Sequence, residues 1–148
     1  MSHTEHHRNE FTVTTDPARL NIEFIHGYLT RSYWSEGISR EIVERGIANS
    51  LCFGVYAGDQ QVGFARVITD CATFAYLADV FIIESQRGKG LSKFLMECIV
   101  NDPRLQGLRR WVLGTRDAHG LYAQYGFKPL AQPDRFMEIH NPDVYKHS

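Results

Sequence analysis

The sequence predicts an α/β domain in which seven strands and four helices follow the order β-α-α-β-β-β-α-β-α-β-β. The first observation is an apolar, β-branched run that ends at Ile83 and passes through two glycines into a helical pattern. Before it lie two runs with strand character, joined by a hairpin turn signal. Two helical stripes precede these runs. The chain of 148 residues shows no repeat or linker, which favours one domain with one substantial core.

The first ten residues, Met1 to Glu10, form a polar leader that we expect to be disordered, so the predicted domain covers residues 11–148. Phe11 to Thr15 alternates between apolar and polar residues and predicts the first strand. The pair Asp16-Pro17 then signals a turn or a helix start. The helix that follows ends near Ser32, and its apolar stripe consists of Ile22, Ile25, Tyr28 and Leu29.

A second helix begins after Ser39, which is a good N-cap residue. Three strands follow as a meander. They are predicted over Leu51 to Ala57, Gln61 to Thr69 and Thr73 to Ile83, and the segment Gly58-Asp59-Gln60 is the first of the two turns. The last of these strands is apolar on both faces at its end, which is typical of a strand in the centre of a sheet.

A glycine-rich turn follows the central strand and carries most of the chemical information. Gly88 and Gly90 allow a sharp bend directly before a helix, whose first amides are unpaired and favour an anion. Arg87 and Lys89 add two cations, so the turn predicts a phosphate site. A P-loop is excluded because Gly88 lacks the paired glycine upstream, and a dinucleotide fingerprint is excluded because Lys93 stands at its third glycine.

Three further elements are predicted beyond the central helix. Trp111 to Gly114 reads as the fifth strand, and Asp117 to Tyr125 as a short helix closed by Gly126. Phe127 and the residues after it are predicted to hold two last strands, of which Phe136 to Ile139 is the clearer. The predicted sheet therefore has seven strands.

Charge and composition exclude several classes of function. The net charge of -1 gives no electrostatic case for binding nucleic acid or an anionic membrane. The chain has no apolar run of membrane-spanning length and no signal peptide, so we expect a cytoplasmic protein. Cys52, Cys71 and Cys98 are expected to be reduced and in or near the core. No metal is expected because no Cys or His pair has zinc spacing, and a homodimer is left open.

Two motifs resemble those of the GNAT (GCN5-related) N-acetyltransferases. The segment Arg-Gly-Lys-Gly-Leu-Ser from Arg87 is similar to the family's pyrophosphate motif, Arg/Gln-x-x-Gly-x-Gly/Ala, although Ser92 departs at its last position. The segment from Thr115 resembles the family's Asn-x-x-Ala-x-x-x-Tyr-x-x-x-Gly-Phe, with threonine in place of asparagine. Its matching residues are Ala118, Tyr122, Gly126 and Phe127. The resemblance covers residues 11–139.

The resemblance implies the GNAT fold, a mixed and mostly antiparallel sheet of seven strands flanked by four helices. It also implies an enzyme that transfers an acetyl group from acetyl-CoA to a primary amine. A bulge in the central strand would free a backbone N–H to stabilise the developing oxyanion. Tyr122 would be the general acid that protonates the leaving thiolate. The implied cofactor-binding residues are Val80, Phe81, Ile82, Arg87, Gly88, Lys89, Gly90, Leu91, Ser92, Thr115 and Tyr122.

The attacking amine must lose a proton, so a carboxylate or a water held by one should lie opposite the general acid. Asp79 is the first candidate because it stands on the central strand just before the implied acetyl-binding segment. Asp70, at the end of the neighbouring strand, is the second. Either residue could instead be a turn or ion-pair carboxylate, and Arg66 is an obvious partner.

The acceptor is less well defined than the acetyl donor. Tyr33, Trp34 and Glu36 after the first helix, with Phe74 and Tyr76 on the central strand, predict an aromatic cleft with some negative charge. Such a cleft suits a small cationic amine, which gains from cation–π contact. Each aromatic could equally pack in the core. Polyamines, aminated metabolites, antibiotics and a protein N-terminus or lysine all remain open.

A second class of function is left open beside catalysis. A domain with this fold could hold acyl-CoA as a sensor, or pack against a partner, without turnover. Ser92 and Thr115, the two departures from the motifs, favour that alternative, whereas the presence of Tyr122 argues against it.

Overall fold

The computed structural model describes residues 3–146, and within them six strands form one sheet in chain order. All neighbouring strands are antiparallel except the last two, which are parallel. The predicted mixed, mostly antiparallel sheet is therefore present. The strands are β1 (Glu5–Arg8), β2 (Phe11–Thr14), β3 (Leu51–Ala57), β4 (Gln60–Thr69), β5 (Phe74–Ile82) and β6 (Arg110–Leu113).

Four helices flank the sheet, as predicted. Asn21 and Ser39 cap the first two, because their side chains accept from the amides of Phe24 and Ile42 at 3.0 and 3.3 Å. The third begins at Gly90, whose φ of +77° only glycine adopts without strain. The helices are α1 (Ile22–Leu29), α2 (Arg40–Ala48), α3 (Leu91–Val100) and α4 (His119–Ala123).

The sheet separates two apolar clusters. On one face α3 packs through Leu95 and Ile99, both fully buried, against the inner residues of the strands. On the other face α1 and α2 cover Phe64 and Phe81. Complete burial of one such side chain contributes about 1.5–3 kcal/mol. Both faces of the central strands are thus covered, which explains their almost continuous apolar sequence.

The prediction of a disordered leader over Met1 to Glu10 is wrong for the residues that the structure describes. Residues 5–8 form β1, which pairs with β2 along its whole length. Arg8 Nη2 also lies 2.8 Å from Glu97 Oε2 on α3. The strand was missed because all four of its side chains are exposed and polar, so backbone pairing alone defines it. Residues 1 and 2 lie outside the described residues.

The two last strands, predicted from Phe127 onward, are a second correction. No strand occurs between that residue and residue 146, so the sheet has six strands rather than seven. The apolar pattern of Phe136 to Ile139 remains, but Met137 is 97% exposed and Ile139 is 104% exposed. The segment has strand-like sequence, yet no strand within residues 3–146 pairs with it.

A bulge interrupts the ladder between β4 and β5, in agreement with the resemblance. Two residues, Asp79 and Val80, stand opposite the single Ala65. Asp79 has a φ of +55°, in the left-handed region that few non-glycine residues occupy. On its other side, β5 pairs with β6 only as far as Leu77 opposite Leu113. The two parallel strands therefore part directly before the bulge.

The cysteines do not all lie where the sequence indicated. Cys52 and Cys98 are buried, but Cys71 is exposed, in the turn between β4 and β5, where its φ is +58°. Burial raises the pKa of the Cys52 thiol to about 12 and that of Cys98 to about 11. The three thiols should therefore differ strongly in reactivity.

We expect iodoacetamide at pH 8 to modify the native protein once, at Cys71. At that pH only about 10⁻⁴ of a thiol with the pKa of Cys52 is ionised, and the thiolate is the nucleophile. Intact-mass measurement should show one adduct in the native protein and three in denaturant. Cys71→Ser is the control and should show none under native conditions. Rapid addition of two or more adducts to the native protein would contradict the burial of the other two thiols.

Candidate active site

A cavity of about 280 Å³ opens where β5 and β6 part. One wall is the bulge of β5, the opposite wall is the end of β6 with Thr115 and with Tyr122 of α4 beyond it, and the segment after α1 forms the rim. Such an opening between parallel strands is a common place for a ligand in α/β proteins. The lining residues are Tyr33, Trp34, Arg66, Tyr76, Leu77, Ala78, Asp79, Val80, Leu113, Gly114, Thr115 and Tyr122.

Asp79 is the most constrained side chain of the cavity. Trp34 Nε1 donates to one of its carboxylate oxygens at 2.9 Å, and Arg66 Nε donates to the other at 2.8 Å. The guanidinium group also donates to Ser50 Oγ at 3.1 Å. The Asp79 side chain is only 9% exposed, so these charge-assisted bonds are shielded from water. The carboxylate therefore joins the bulge to β4 and to the rim, and the ion pair anticipated from the sequence is present.

Tyr122 is presented by α4 and is 8% exposed. Its ring packs edge-on against Phe127 at a centroid distance of 6.1 Å, so the ring is fixed. No residue of the range 3–146 forms a hydrogen bond with its hydroxyl. Burial, and then the nearby Tyr33 and Asp117, raise the pKa of the phenol. It therefore stays protonated, and able to donate, throughout the neutral range.

The glycine loop lies at the end of β5. Gly88 has a φ of +81°, and a Cβ at Gly88 or Gly90 would meet no atom within 4 Å, so the outer side of the loop is open. Arg87 does not point freely outward, since it donates to Ile82 O and to the Tyr28 hydroxyl, both at 3.0 Å. It braces the loop against β5 and α1. An anion at this loop would therefore meet the first amides of α3 rather than the Arg87 guanidinium group.

Only three of the five predicted acceptor residues reach the cavity. Tyr33, Trp34 and Tyr76 line it, with exposed fractions of 50%, 39% and 37%. Phe74 lies at the start of β5, opposite Arg110 of β6, and does not line the cavity. Glu36 is exposed and is also outside the lining. The aromatic part of the predicted cleft is therefore assembled at the cavity, whereas the predicted source of negative charge is not.

Asp70, the second candidate base, instead stabilises the turn between β4 and β5 in which it lies. Its carboxylate accepts from the amides of Ala72, Thr73 and Phe74, at 2.9, 2.8 and 3.2 Å, and from the Thr73 hydroxyl at 2.6 Å. These bonds hold the pKa of the carboxyl well below its usual range. The residue does not line the cavity, so the turn reading that was left open for it fits the structure.

Sequence reasoning did not single out some residues that line the cavity, or one that contacts its lining from outside. Arg116 places its guanidinium carbon 3.8 Å from the centre of the Tyr33 ring, and its amide donates to the Tyr33 hydroxyl at 3.4 Å. Leu113 and Gly114 form the end of the β6 wall. Their position directly before Thr115 was the available signal. A sequence motif identifies the residues that match it, but it does not show which adjacent residues line the same cavity.

Two further observations concern residues 3–146 as a whole. No three His, Cys, Asp or Glu side chains in that range come together as a group that could hold a metal ion. Every helix described there is too short or too polar to cross a lipid bilayer.

Known proteins share this architecture. A family model described as an acetyltransferase (GNAT) domain matches residues 48–129. A candidate acetyltransferase of Gibberella zeae is 31% identical over 140 residues, which cover 79% of this chain and 78% of that protein. A crystal structure of a candidate GNAT acetyltransferase from Xanthomonas campestris is 49% identical, covers 91% of this chain and 96% of that one, and has a TM-score of 0.90.

A more distant structure shows how widely the fold is shared. The predicted acetyltransferase of Clostridium acetobutylicum, solved with acetyl-CoA, is 14% identical and has a TM-score of 0.61, over 94% of this chain and 95% of that one. At that identity the likeness shows the fold alone. The family model spans more than half of the chain, and the relative from Gibberella zeae matches over most of both sequences. The chain therefore belongs to the GNAT family of acetyl-CoA-dependent acetyltransferases.

Proposed function

We propose that this protein transfers the acetyl group of acetyl-CoA directly to the primary amine of a small cationic acceptor, within the cavity between β5 and β6. The observation that carries the proposal is that one cavity contains both Tyr122 and the bulge at Asp79 and Val80. A proton donor and a strand with displaced backbone thus face the same small volume. These are the two groups that acyl transfer from a thioester requires.

Acetyl-CoA fits the chain at the glycine loop. The cofactor seen in the distant relative from Clostridium acetobutylicum supports the same donor here. We place the pyrophosphate at the amides of Leu91 and Ser92, where the start of α3 favours negative charge. The open space outside Gly88 and Gly90 would admit a phosphate without moving the backbone. Acetyl-CoA supplies the activated acyl group, and the chain supplies the site around it.

The proposed reaction proceeds by direct attack. The neutral amine adds to the thioester carbonyl carbon, and a backbone N–H at the bulge near Val80 stabilises the charge that grows on the oxygen. The C–S bond then breaks, Tyr122 gives its proton to the departing sulfur, and the nitrogen that is now bonded to the acetyl carbon releases its extra proton to solvent. The phenolate can recover a proton from solvent after the product leaves. The proton transfer to sulfur starts from the protonated form of the phenol, which burial favours.

Asp79 is our candidate for the group that removes the amine proton. It lies in the cavity as the sequence reasoning supposed, but both of its oxygens already accept hydrogen bonds from Trp34 and Arg66. Direct proton transfer therefore requires the acceptor to share or displace one of these contacts. The same contacts also suit a carboxylate that only holds the bulge in place, so a test must separate the two roles.

Three exposed aromatics support a cationic acceptor. The rings of Tyr33, Trp34 and Tyr76 at the cavity can stabilise an ammonium or a second cationic group by cation–π contact. Arg116 already occupies one face of Tyr33. The free surface for an acceptor is therefore mainly on Trp34 and Tyr76, which favours a slender amine over a bulky one.

The direct test of the function is release of free thiol from acetyl-CoA in the presence of a panel of amines. Polyamines, amino sugars, an aminated antibiotic, lysine and a short peptide with a free N-terminus cover the open acceptor classes. Acceptor-dependent thiol release, with acetylated product seen by mass spectrometry, is the expected result. Tight acetyl-CoA binding without turnover of any amine would support the non-catalytic sensor instead.

Gly90→Val should weaken acetyl-CoA binding by at least about tenfold, because a left-handed residue with a side chain costs about 1–2 kcal/mol and distorts the loop. Calorimetry measures the change. Gly58→Val is a matched control, since its φ of +60° and open surroundings are similar but it lies in the turn between β3 and β4. It should lose stability and keep its affinity. Lys89→Ala should cost less, because it removes one exposed charge. If the folded Gly90→Val variant bound acetyl-CoA with unchanged affinity, the pyrophosphate would not bind at this loop.

Tyr122→Phe should lower kcat by about 10²–10⁴-fold with little change in acetyl-CoA affinity, because it deletes only the proton donor. Tyr125→Phe is the matched control, since that tyrosine donates to Lys93 O at 3.2 Å and is outside the cavity. The raised pKa of Tyr122 also predicts no loss of kcat from its ionisation below about pH 10. The defect should shrink for a donor with a more acidic thiol. If Tyr122→Phe kept the wild-type kcat while the chemical step limits the rate, solvent rather than Tyr122 would protonate the thiolate.

Asp79→Asn should lower turnover of a strongly basic amine and spare a weakly basic one such as an aromatic amine. Asparagine matches the aspartate in size and tolerates the left-handed backbone, but its single amide oxygen can accept from only one of Trp34 and Arg66, so the melting temperature of the variant is measured as a control for its fold. A weakly basic amine arrives unprotonated and needs no base. Equal losses for both amines would instead assign Asp79 the positioning role, and single-turnover kinetics would make the comparison.

A further inference from the structure

The cavity between β5 and β6 is small for the reaction assigned to it. Its volume is about 280 Å³, whereas cavities that enclose a small ligand usually measure about 300–1,000 Å³. The acetyl group and the thiol end of acetyl-CoA would fill part of that volume. Any acceptor larger than the simplest amines therefore needs further space next to the acetyl group.

A second cavity of about 330 Å³ lies between α2 and the two central strands β4 and β5, and we call it the α2 cavity. Arg66 and Asp79 line both this cavity and the first one. Their ion pair, in which Arg66 Nε and Asp79 Oδ2 are 2.8 Å apart, is thus a wall that the two cavities share. A ligand that reaches Asp79 from one cavity is therefore beside the other.

The α2 cavity is mainly apolar. Its floor belongs to the cluster that α1 and α2 form on the sheet, and two further apolar residues, both on α2, are only partly buried. Such a surface binds hydrocarbon, and each methylene group that leaves water improves the affinity about fourfold. The floor consists of Leu29, Ile38, Val43 and Phe64, and the two partly buried residues are Ile42 and Ile47.

The charges of the α2 cavity disfavour a second cation in the ligand. Within residues 3–146 its lining holds one carboxylate, that of Asp79, and two guanidinium groups, those of Arg45 and Arg66. Arg66 packs against α2, where a Cβ at Gly46 would lie 3.5 Å from its Nη1. The partner of Arg45, Glu41, is 85% exposed and lies outside the lining. Since Arg66 already pairs with the carboxylate, an ammonium group here would meet net positive charge.

Building on the acetyl transfer proposed above, we propose that the acceptor is a primary monoamine with an uncharged, apolar tail, and that the tail occupies the α2 cavity. The amine lies at Asp79 and faces the acetyl group in the first cavity. It takes the place of the Trp34 indole on one carboxylate oxygen, while Arg66 keeps the other. The same displacement gives the tail a path beside the ion pair. Polyamines, although cationic, are then poor acceptors.

Two matched series of amines test the proposal, the n-alkylamines from ethylamine to octylamine and the α,ω-diamines of the same lengths. Calorimetry on the complex with CoA measures binding without turnover, and thiol release from acetyl-CoA measures kcat/KM. For the monoamines, affinity and kcat/KM should each rise about fourfold per methylene until the cavity is full. Each longer diamine should bind at least about tenfold more weakly than the monoamine of its length.

Filling the α2 cavity should remove the gain from a longer tail. Ile42→Trp should reduce the advantage of hexylamine over ethylamine at least about tenfold, because the larger ring takes the space of the tail. Ile22→Trp, at a partly buried position of α1 outside the cavity, is the matched control and should keep the full advantage. Arg45→Glu, at an exposed position, should narrow the preference for a monoamine over its diamine.

If affinity rises with tail length but no amine is acetylated, the proposed transfer fails, whereas the α2 cavity is supported as the site of the apolar tail. Acetylation that does not depend on tail length would overturn the proposal, and so would diamines that bind as well as the monoamines. An Ile42→Trp variant that keeps the full advantage of hexylamine, or the absence of any alkylamine binding, would also overturn it.

Discussion

The bulge at Asp79 is the constraint on which the site depends. Its left-handed backbone breaks the ladder just beyond the last pair that joins β5 to β6. Such a conformation in a non-glycine residue is unfavourable by about 1–2 kcal/mol, so surrounding contacts must stabilise it. Trp34 and Arg66 supply those contacts through the carboxylate. The cavity, its rim and the opening of the sheet are thus consequences of one held residue.

The same arrangement connects the glycine loop, where we propose that the pyrophosphate binds, with the proposed acyl end of the site. Arg87 donates to the hydroxyl of Tyr28, and the ring of Tyr28 stacks on Phe81 at a centroid distance of 3.8 Å. Phe81 follows the bulge within two residues. One aromatic contact therefore lies between the glycine loop and the strand that would stabilise the oxyanion. A substitution in α1 can therefore affect both the glycine loop and β5 without contacting acetyl-CoA or the acceptor.

Local patterns in the sequence predicted most of the fold. The Ser39 cap of α2, the hairpin from β3 to β4 and the glycine start of α3 each depend on a few neighbouring residues, and these appear as predicted, whereas the Asn21 cap of α1 was not predicted. β1 could not be predicted because its residues are polar and exposed and their structure comes from pairing with β2. At the other end, Phe136 to Ile139 has the composition of a strand, but a strand needs an edge to pair with. Composition does not say which edge is available.

The sequence likewise predicted part of the candidate site. Motifs indicated Tyr122 and the glycine loop, because family motifs are fixed in sequence. They did not indicate that Arg116 stacks on Tyr33, or that Glu36 lies outside the lining of the cavity. Those relations depend on how a loop after α1 meets the start of α4, across about 80 residues of chain. The two hydrogen bonds that occupy the carboxylate of Asp79 come from Trp34 after α1 and from Arg66 on β4, so no pattern within β5 alone could predict them.

The order of the strands has a consequence for how the molecule is made. The sheet follows the chain from β1 to β6, and β3, β4 and β5 form successive hairpins whose contacts are local. Two ladders need long connections, the one from β2 to β3 through α1 and α2 and the parallel one from β5 to β6 through α3, so loop closure makes these the slowest of the sheet contacts to form. Tyr122 lies beyond β6. During synthesis the glycine loop can therefore assemble early on a nearly complete sheet, while the acyl pocket is finished only when the last quarter of the chain has left the ribosome.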